Sequence, residues 1–135
     1  PNYEQFRATI HAVKGFADSQ KLRLSLVLVP TKEEVYDWVW KGDSPWSTDA
    51  GSSGFSDVLE KVCAEENIRY LNLKPSLLRE ARRVYEDSGQ LLYWYDDPHL
   101  NSTGSRFTAE IIYDQLLNGS QTIDHPLATN ISVSQ

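Results

Sequence analysis

Asp96, Asp97 and His99 are the residues of this chain of 135 residues whose types and spacing could do chemistry together. They stand in Asp96-Asp97-Pro98-His99-Leu100-Asn101-Ser102-Thr103-Gly104, between an aromatic run, Leu91-Leu92-Tyr93-Trp94-Tyr95, and an amphipathic run from Ser102 to Leu117. A carboxylate beside an imidazole at a strand-to-helix junction supplies two parts of a serine-hydrolase relay. The acid fixes the tautomer of the ring, and the ring takes a proton from a nucleophile. The third part, the nucleophile, is not evident in the sequence.

The elements that must position these residues can be read from periodicity. Phe6, Ile10, Val13 and Ala17 recur at intervals of three and four, which predicts a helix over Tyr3 to Phe16. Leu22 to Val29 is nearly continuous aliphatic sequence, as expected of a parallel strand covered on both faces, and Pro30 ends it. Thr31 and Glu34 form a capping-box pattern ahead of Val35, Trp38 and Val39, so a helix should follow. Residues 41 to 54 are rich in Gly, Ser, Pro and Asp and are expected to form a loop, a candidate rim for a substrate cleft. Helices are then expected over Phe55 to Glu66 and from Lys74-Pro75-Ser76 to a stop at Gly89, with a short strand over Ile68 to Leu73 between them. Leu91 to Tyr95 is the third strand candidate, and a last helix presents Phe107, Ile111 and Leu116. This order implies an α/β fold, three-layered, with a mostly parallel sheet flanked by helices. Residues 1–118 form the expected domain, and 119–135, polar and interrupted by Gly119 and Pro126, a loosely ordered tail.

Composition narrows the function. A net charge of −6 argues against nucleic acid, which requires a Lys/Arg surface. Arg79, Arg82 and Arg83 share their helix with Glu80, Glu86 and Asp87, the alternation of a solvated face. The single Cys63 cannot form an intramolecular disulfide and, among Val58, Leu59 and Val62, reads as a buried apolar residue. No metal site or cofactor is expected, and no run approaches the roughly 18 consecutive apolar residues of a membrane span. Asn101, Asn118 and Asn130 open Asn-x-Ser/Thr triplets, which matter only in a secreted eukaryotic protein.

The Asp-His segment resembles the C-terminal Asp-His signature of the SGNH (GDSL-type) hydrolase superfamily, in particular its alginate O-acetyltransferase-like branch. A second segment, Leu26-Val27-Leu28-Val29-Pro30-Thr31-Lys32-Glu33-Glu34-Val35-Tyr36, is similar to the strand, Pro-Thr-Lys and Tyr-bearing helix that this branch carries ahead of its Asp-His block. Together the matches extend the resemblance over roughly residues 5 to 117. It implies that His99 is the general base of a Ser-His-Asp relay. The general pattern of the superfamily places the Asp three positions before the His, at Asp96, and the acetyltransferase-like branch two positions before, at Asp97, which the Pro-Thr-Lys match favours. Leu100 departs from the aromatic residue usual after the His.

Gly42-Asp43-Ser44 spells the nucleophile block of the superfamily, but it follows a helix and runs into Pro45-Trp46 instead of following the first strand. Ser44 is therefore not expected to be the nucleophile and should lie beyond proton-transfer distance of His99. The Gly and Asn blocks that supply oxyanion donors are not found either. The chain is accordingly expected to be the later half of an SGNH-like domain, a choice the loose tail favours over the permuted order in which the Asp-His block precedes the nucleophile, and to contribute His99 and its Asp to an ester hydrolase or O-acyltransferase that acts on carbohydrate O-acyl groups. Pairing with the rest of a parent domain, or with a second copy, would cover its sheet. The resemblance also implies an extracytoplasmic or cell-envelope setting, with membrane contact only through other segments of the parent. The alternative is a non-catalytic carbohydrate-binding module in which Trp38, Trp40, Trp46 and Trp94 stack on sugar rings.

Overall fold

A computed structural model describes residues 3–42 and 54–118, apart from the side chain of Trp40. The elements run α1 (Tyr3–Ser19), β1 (Ser25–Leu28), α2 (Lys32–Lys41), α3 (Gly54–Glu65), β2 (Arg69–Asn72), α4 (Lys74–Ser88) and α5 (Ser102–Ile112), which continues as a π-helical turn over Tyr113–Asn118. The fold is mixed α/β, dominated by helix, with β1 and β2 paired in parallel.

The pairing register sets Val27 beside Leu71 and Leu26 beside Tyr70. Because side chains alternate along a strand, the two pairs face opposite ways. Val27 and Leu71 belong to an apolar cluster with Val35 and Tyr36 of α2, Leu77 and Ala81 of α4, and Leu92 and Tyr93. Leu26, Leu28 and Tyr70 pack instead with Phe6 and Ile10 of α1 and Leu59 and Cys63 of α3. Helices thus lie against both faces of the small sheet. Cys63 is buried, and burial pushes its thiol up from the usual range.

Local signals account for the helix ends. Thr31 accepts the amide of Glu34 while the Glu34 carboxylate accepts the amide of Thr31, so the capping box is complete at the start of α2. Gly42 and Gly89 end α2 and α4 in the left-handed conformation, at φ 65° and 69°. Arg83 pairs with Glu80 and Asp87 along α4, the expected pattern of a solvated face.

Two expectations need correction. The first strand is shorter than Leu22 to Val29, and both of those end residues are exposed. Leu91 to Tyr95 is not a strand: among the described residues it takes part only in one isolated antiparallel bridge, Tyr93 to Leu100. The reason lies in its backbone partners. The Leu92 amide donates to the Tyr36 hydroxyl at 2.8 Å, the Leu92 carbonyl accepts from the Asn101 amide at 2.9 Å, and the Trp94 amide donates to the His99 carbonyl at 3.0 Å. The segment is apolar because Leu92 and Tyr93 are buried, but its backbone is satisfied by a side chain and by the return of its own loop.

Candidate functional site

The loop from Leu91 to Asn101 is built as a closed turn. Asn101 holds both of its ends: its side-chain amide donates to the Leu91 carbonyl at 2.6 Å and the Tyr93 carbonyl at 3.3 Å, and its Oδ1 accepts the Gly104 amide at 3.0 Å as the N-cap of α5. Bridging the loop and capping the helix are thus performed by one residue, and Ser102 and Thr103 lie inside the helix. Gly104 passes directly beneath the Leu92 carbonyl.

Within this turn Asp97 precedes Pro98, and His99 follows it. The proline ring fixes its own φ and disfavours the helical region for the residue before it, which restricts the turn. One carboxylate oxygen of Asp97 accepts the backbone amide of His99 at 2.7 Å and also contacts His99 Nδ1. The His99 amide, and then its imidazole, hold the Asp97 carboxyl below the usual carboxylate range, with a smaller contribution from Lys32. The side chain of Asp97 is 47% exposed and that of His99 81%. An Nδ1 engaged by a carboxylate leaves Nε2 as the ring nitrogen able to take a proton from another group. Asp96 is exposed and makes no hydrogen bond or ion pair among the described residues. The structure therefore brings Asp97, and not Asp96, to the ring. Ser44 lies outside the described residues, as do Trp46 and most of the expected rim loop.

The Pro-Thr-Lys segment meets this loop in space. Tyr93 donates its hydroxyl to the Pro30 carbonyl at 2.7 Å, and Lys32 Nζ donates to the carbonyls of Trp94 at 2.7 Å and Tyr95 at 2.6 Å. Burial raises the phenols of Tyr36 and Tyr93 above their ordinary range, so both remain neutral hydrogen-bonding groups. A cavity of about 480 Å³ opens beside the loop, lined by Lys32, Tyr36, Val39, Tyr85, Gly89, Leu91 and Tyr95. Tyr95 is 88% exposed and Trp94 54%. Trp38, by contrast, is half-buried against Tyr36 and Tyr85 and donates its indole N–H to the Val35 carbonyl, a packing role.

Sequence reasoning did not assign the contacts of Lys32, Tyr36 and Tyr93. Two signals were available: a lysine in the first turn of a helix, where the helix dipole disfavours a cation, and two tyrosines at otherwise apolar positions, whose hydroxyls need partners. Among the described residues no group of three or more His, Cys, Asp or Glu side chains is placed to hold a metal ion, and no helix is long and apolar enough to cross a membrane.

No family model matches the chain, and neither a curated protein nor a solved structure matches it.

Proposed function

We propose that this chain supplies the base and its orienting acid to an SGNH-type ester hydrolase or O-acyltransferase acting on O-acyl groups of carbohydrate. Asp97 holds the His99 ring with Nδ1 toward its carboxylate, and Nε2 takes the proton of a serine hydroxyl and returns it to the leaving alcohol. The observation that carries this reading is the contact between Asp97 and His99 Nδ1 on a loop that leaves the ring open to a second reactant. The meeting of the Pro-Thr-Lys and Asp-His segments, far apart in sequence, supports it further. In this proposal the serine and the oxyanion donors come from polypeptide beyond these 135 residues, and β1 and β2 belong to a larger, three-layer sheet completed by that polypeptide.

The test compares hydrolysis of an activated acetyl ester by this chain, by the same chain joined to the segments that carry the serine, and by the His99→Ala variant of the joined protein. The chain alone should be nearly inactive. The joined protein should be active and should lose several orders of magnitude on substitution of His99, because relay members act as a unit. Activity that survives His99→Ala would sink the mechanism, and activity of the lone chain that vanishes with Ser44→Ala would place the nucleophile at Ser44.

A second reading, a non-catalytic carbohydrate-binding module, draws on the exposure of Trp94 and Tyr95 side by side on one loop. Stacking of sugar rings on these side chains would be seen as quenching or shifting of tryptophan fluorescence on titration with oligosaccharide, abolished by Trp94→Ala.

A further inference from the structure

Lys32 is the first residue of α2, directly after the N-cap Thr31. A cation there lies at the positive end of the helix dipole, a placement that is unfavourable unless something offsets it. Here the offset is visible. Nζ sits between two backbone carbonyls, those of Trp94 and Tyr95, at 2.7 and 2.6 Å, and it lies 5.8 Å from the centre of the Tyr95 ring. Glu34, in the same first turn, is directed elsewhere, to the Thr31 amide and toward Lys74.

Two consecutive carbonyls can converge on one ammonium only when the peptide between them is turned out of an extended course. That turn lies two residues before Asp97. From it the chain passes through Asp96 to the carboxylate that meets the His99 amide and ring, and the His99 carbonyl then closes back on the Trp94 amide at 3.0 Å. The loop is therefore a ring of contacts anchored to the body of the domain through Lys32. The other anchors hold its flanks: Tyr36 at Leu92, Pro30 at Tyr93 and Asn101 at Leu91. Lys32 alone among these named anchors binds at the Trp94–Tyr95 step, next to the acid.

We infer that Lys32 is a positioning residue for the Asp97–His99 pair, acting through the carbonyls of Trp94 and Tyr95 to hold the loop in the turn that brings the carboxylate to Nδ1. Its functional meaning rests on the relay proposed above, but the clamp itself is a statement about geometry and can fail separately.

The test is nitrogen-15 NMR of the imidazole together with amide hydrogen exchange, on this chain and on its Lys32→Met, Lys32→Arg and Asp97→Asn variants. A carboxylate acceptor at Nδ1 selects the Nδ1–H tautomer of the neutral ring. In the unsubstituted chain that form should predominate, and Asp97→Asn should diminish it. Lys32→Met should shift the ring toward the Nε2–H tautomer and speed exchange of the Trp94 and His99 amides at least about tenfold, with amides in the middle of α4 unchanged. Lys32→Arg, whose N–H groups can reach both carbonyls, should restore the tautomer and the protection. If Lys32→Met unfolds the chain, as the α4 amides would reveal, Lys32→Ala, a better helix former that likewise carries no donor, has the same expectation. Unaltered tautomer and exchange in a folded Lys32→Met or Lys32→Ala chain would overturn the inference, and so would an Asp97→Asn chain with the original tautomer. Loss of ester hydrolysis in the joined protein is not used, so failure of the relay leaves this outcome readable.

Discussion

Gly104 lies beneath the carbonyl of Leu92 so closely that a Cβ on it would fall 2.1 Å from that oxygen. The neighbour is backbone, so no rotamer change can make room. Helix α5 and the loop that carries Asp97 and His99 are held at a separation that only glycine permits. Gly104→Ala should therefore destabilise the protein by about 1–3 kcal/mol or more, although alanine is the better helix former. Urea unfolding would measure the loss, and a neutral or stabilising outcome would show that the approach is not so close.

Asn101 does two jobs with the two ends of one side-chain amide, and two substitutions separate them. Asn101→Ser keeps an oxygen to accept the Gly104 amide but loses the donor to Leu91 and Tyr93. Asn101→Ala loses both. The cap is worth roughly 1 kcal/mol and the loss of a donor to part-buried carbonyls about 1–3 kcal/mol, so Ala should be the more damaging replacement. Equal stability of the two variants in thermal unfolding would show that the cap contributes nothing measurable.

The helices were legible because their signals act locally. Thr31 with Glu34, Gly89 and the 3–4 spacing of Phe6, Ile10 and Val13 need no knowledge of the rest of the chain. Leu91 to Tyr95 was misread as a strand for the opposite reason. Its apolar pattern reports that Leu92 and Tyr93 are buried, but strand identity depends on which groups satisfy the backbone, and those are Tyr36 from α2 and Asn101 from beyond the loop. The π-helical end over Tyr113–Asn118 was also invisible, and its carbonyls at Gln115 and Leu116 are taken by Arg69 of β2. The pairing of Asp97 with His99 is different in kind. Spacing left Asp96 and Asp97 both open, the resemblance of the Pro-Thr-Lys segment favoured Asp97, and the turn around Pro98 is what brings Asp97 to the ring.

The buried phenols of Tyr36 and Tyr93, edge to face at 6.2 Å, should make the fold sensitive to alkali. Burial raises both above the ordinary tyrosine range, so their contribution is fully present below about pH 10, the unfolded value, and is lost as pH rises toward their folded values. Of the seven tyrosines, these should be among the last to ionise, with phenolate absorbance appearing together with loss of helical circular dichroism. Tyr93→Phe should blunt that sensitivity and cost about 1–3 kcal/mol at neutral pH, because the buried Pro30 carbonyl loses its donor. Ionisation of both phenols in a still folded chain would contradict this account.

Asp97 gives the opposite pH dependence. Its carboxyl is held below the usual range, first by the His99 amide and then by the imidazole, so the folded loop favours the charged form. The pairing should be intact above about pH 3.9, the unfolded value for aspartate, and should be lost as pH falls through the lower folded value. Carbon-13 NMR of the Asp97 carboxyl, in the native chain and in urea, should give a lower midpoint in the native chain. His99→Ala distinguishes the two donors. It removes the ring but keeps the residue-99 amide, so part of the depression should survive, and the midpoint should move only part of the way toward its value in urea. A midpoint in His99→Ala equal to that of the unfolded chain would mean that the imidazole, not the amide, sets the carboxylate. Equal midpoints in the native and urea-unfolded unsubstituted chain would mean that the turn around Pro98 does not hold the acid against His99 in solution.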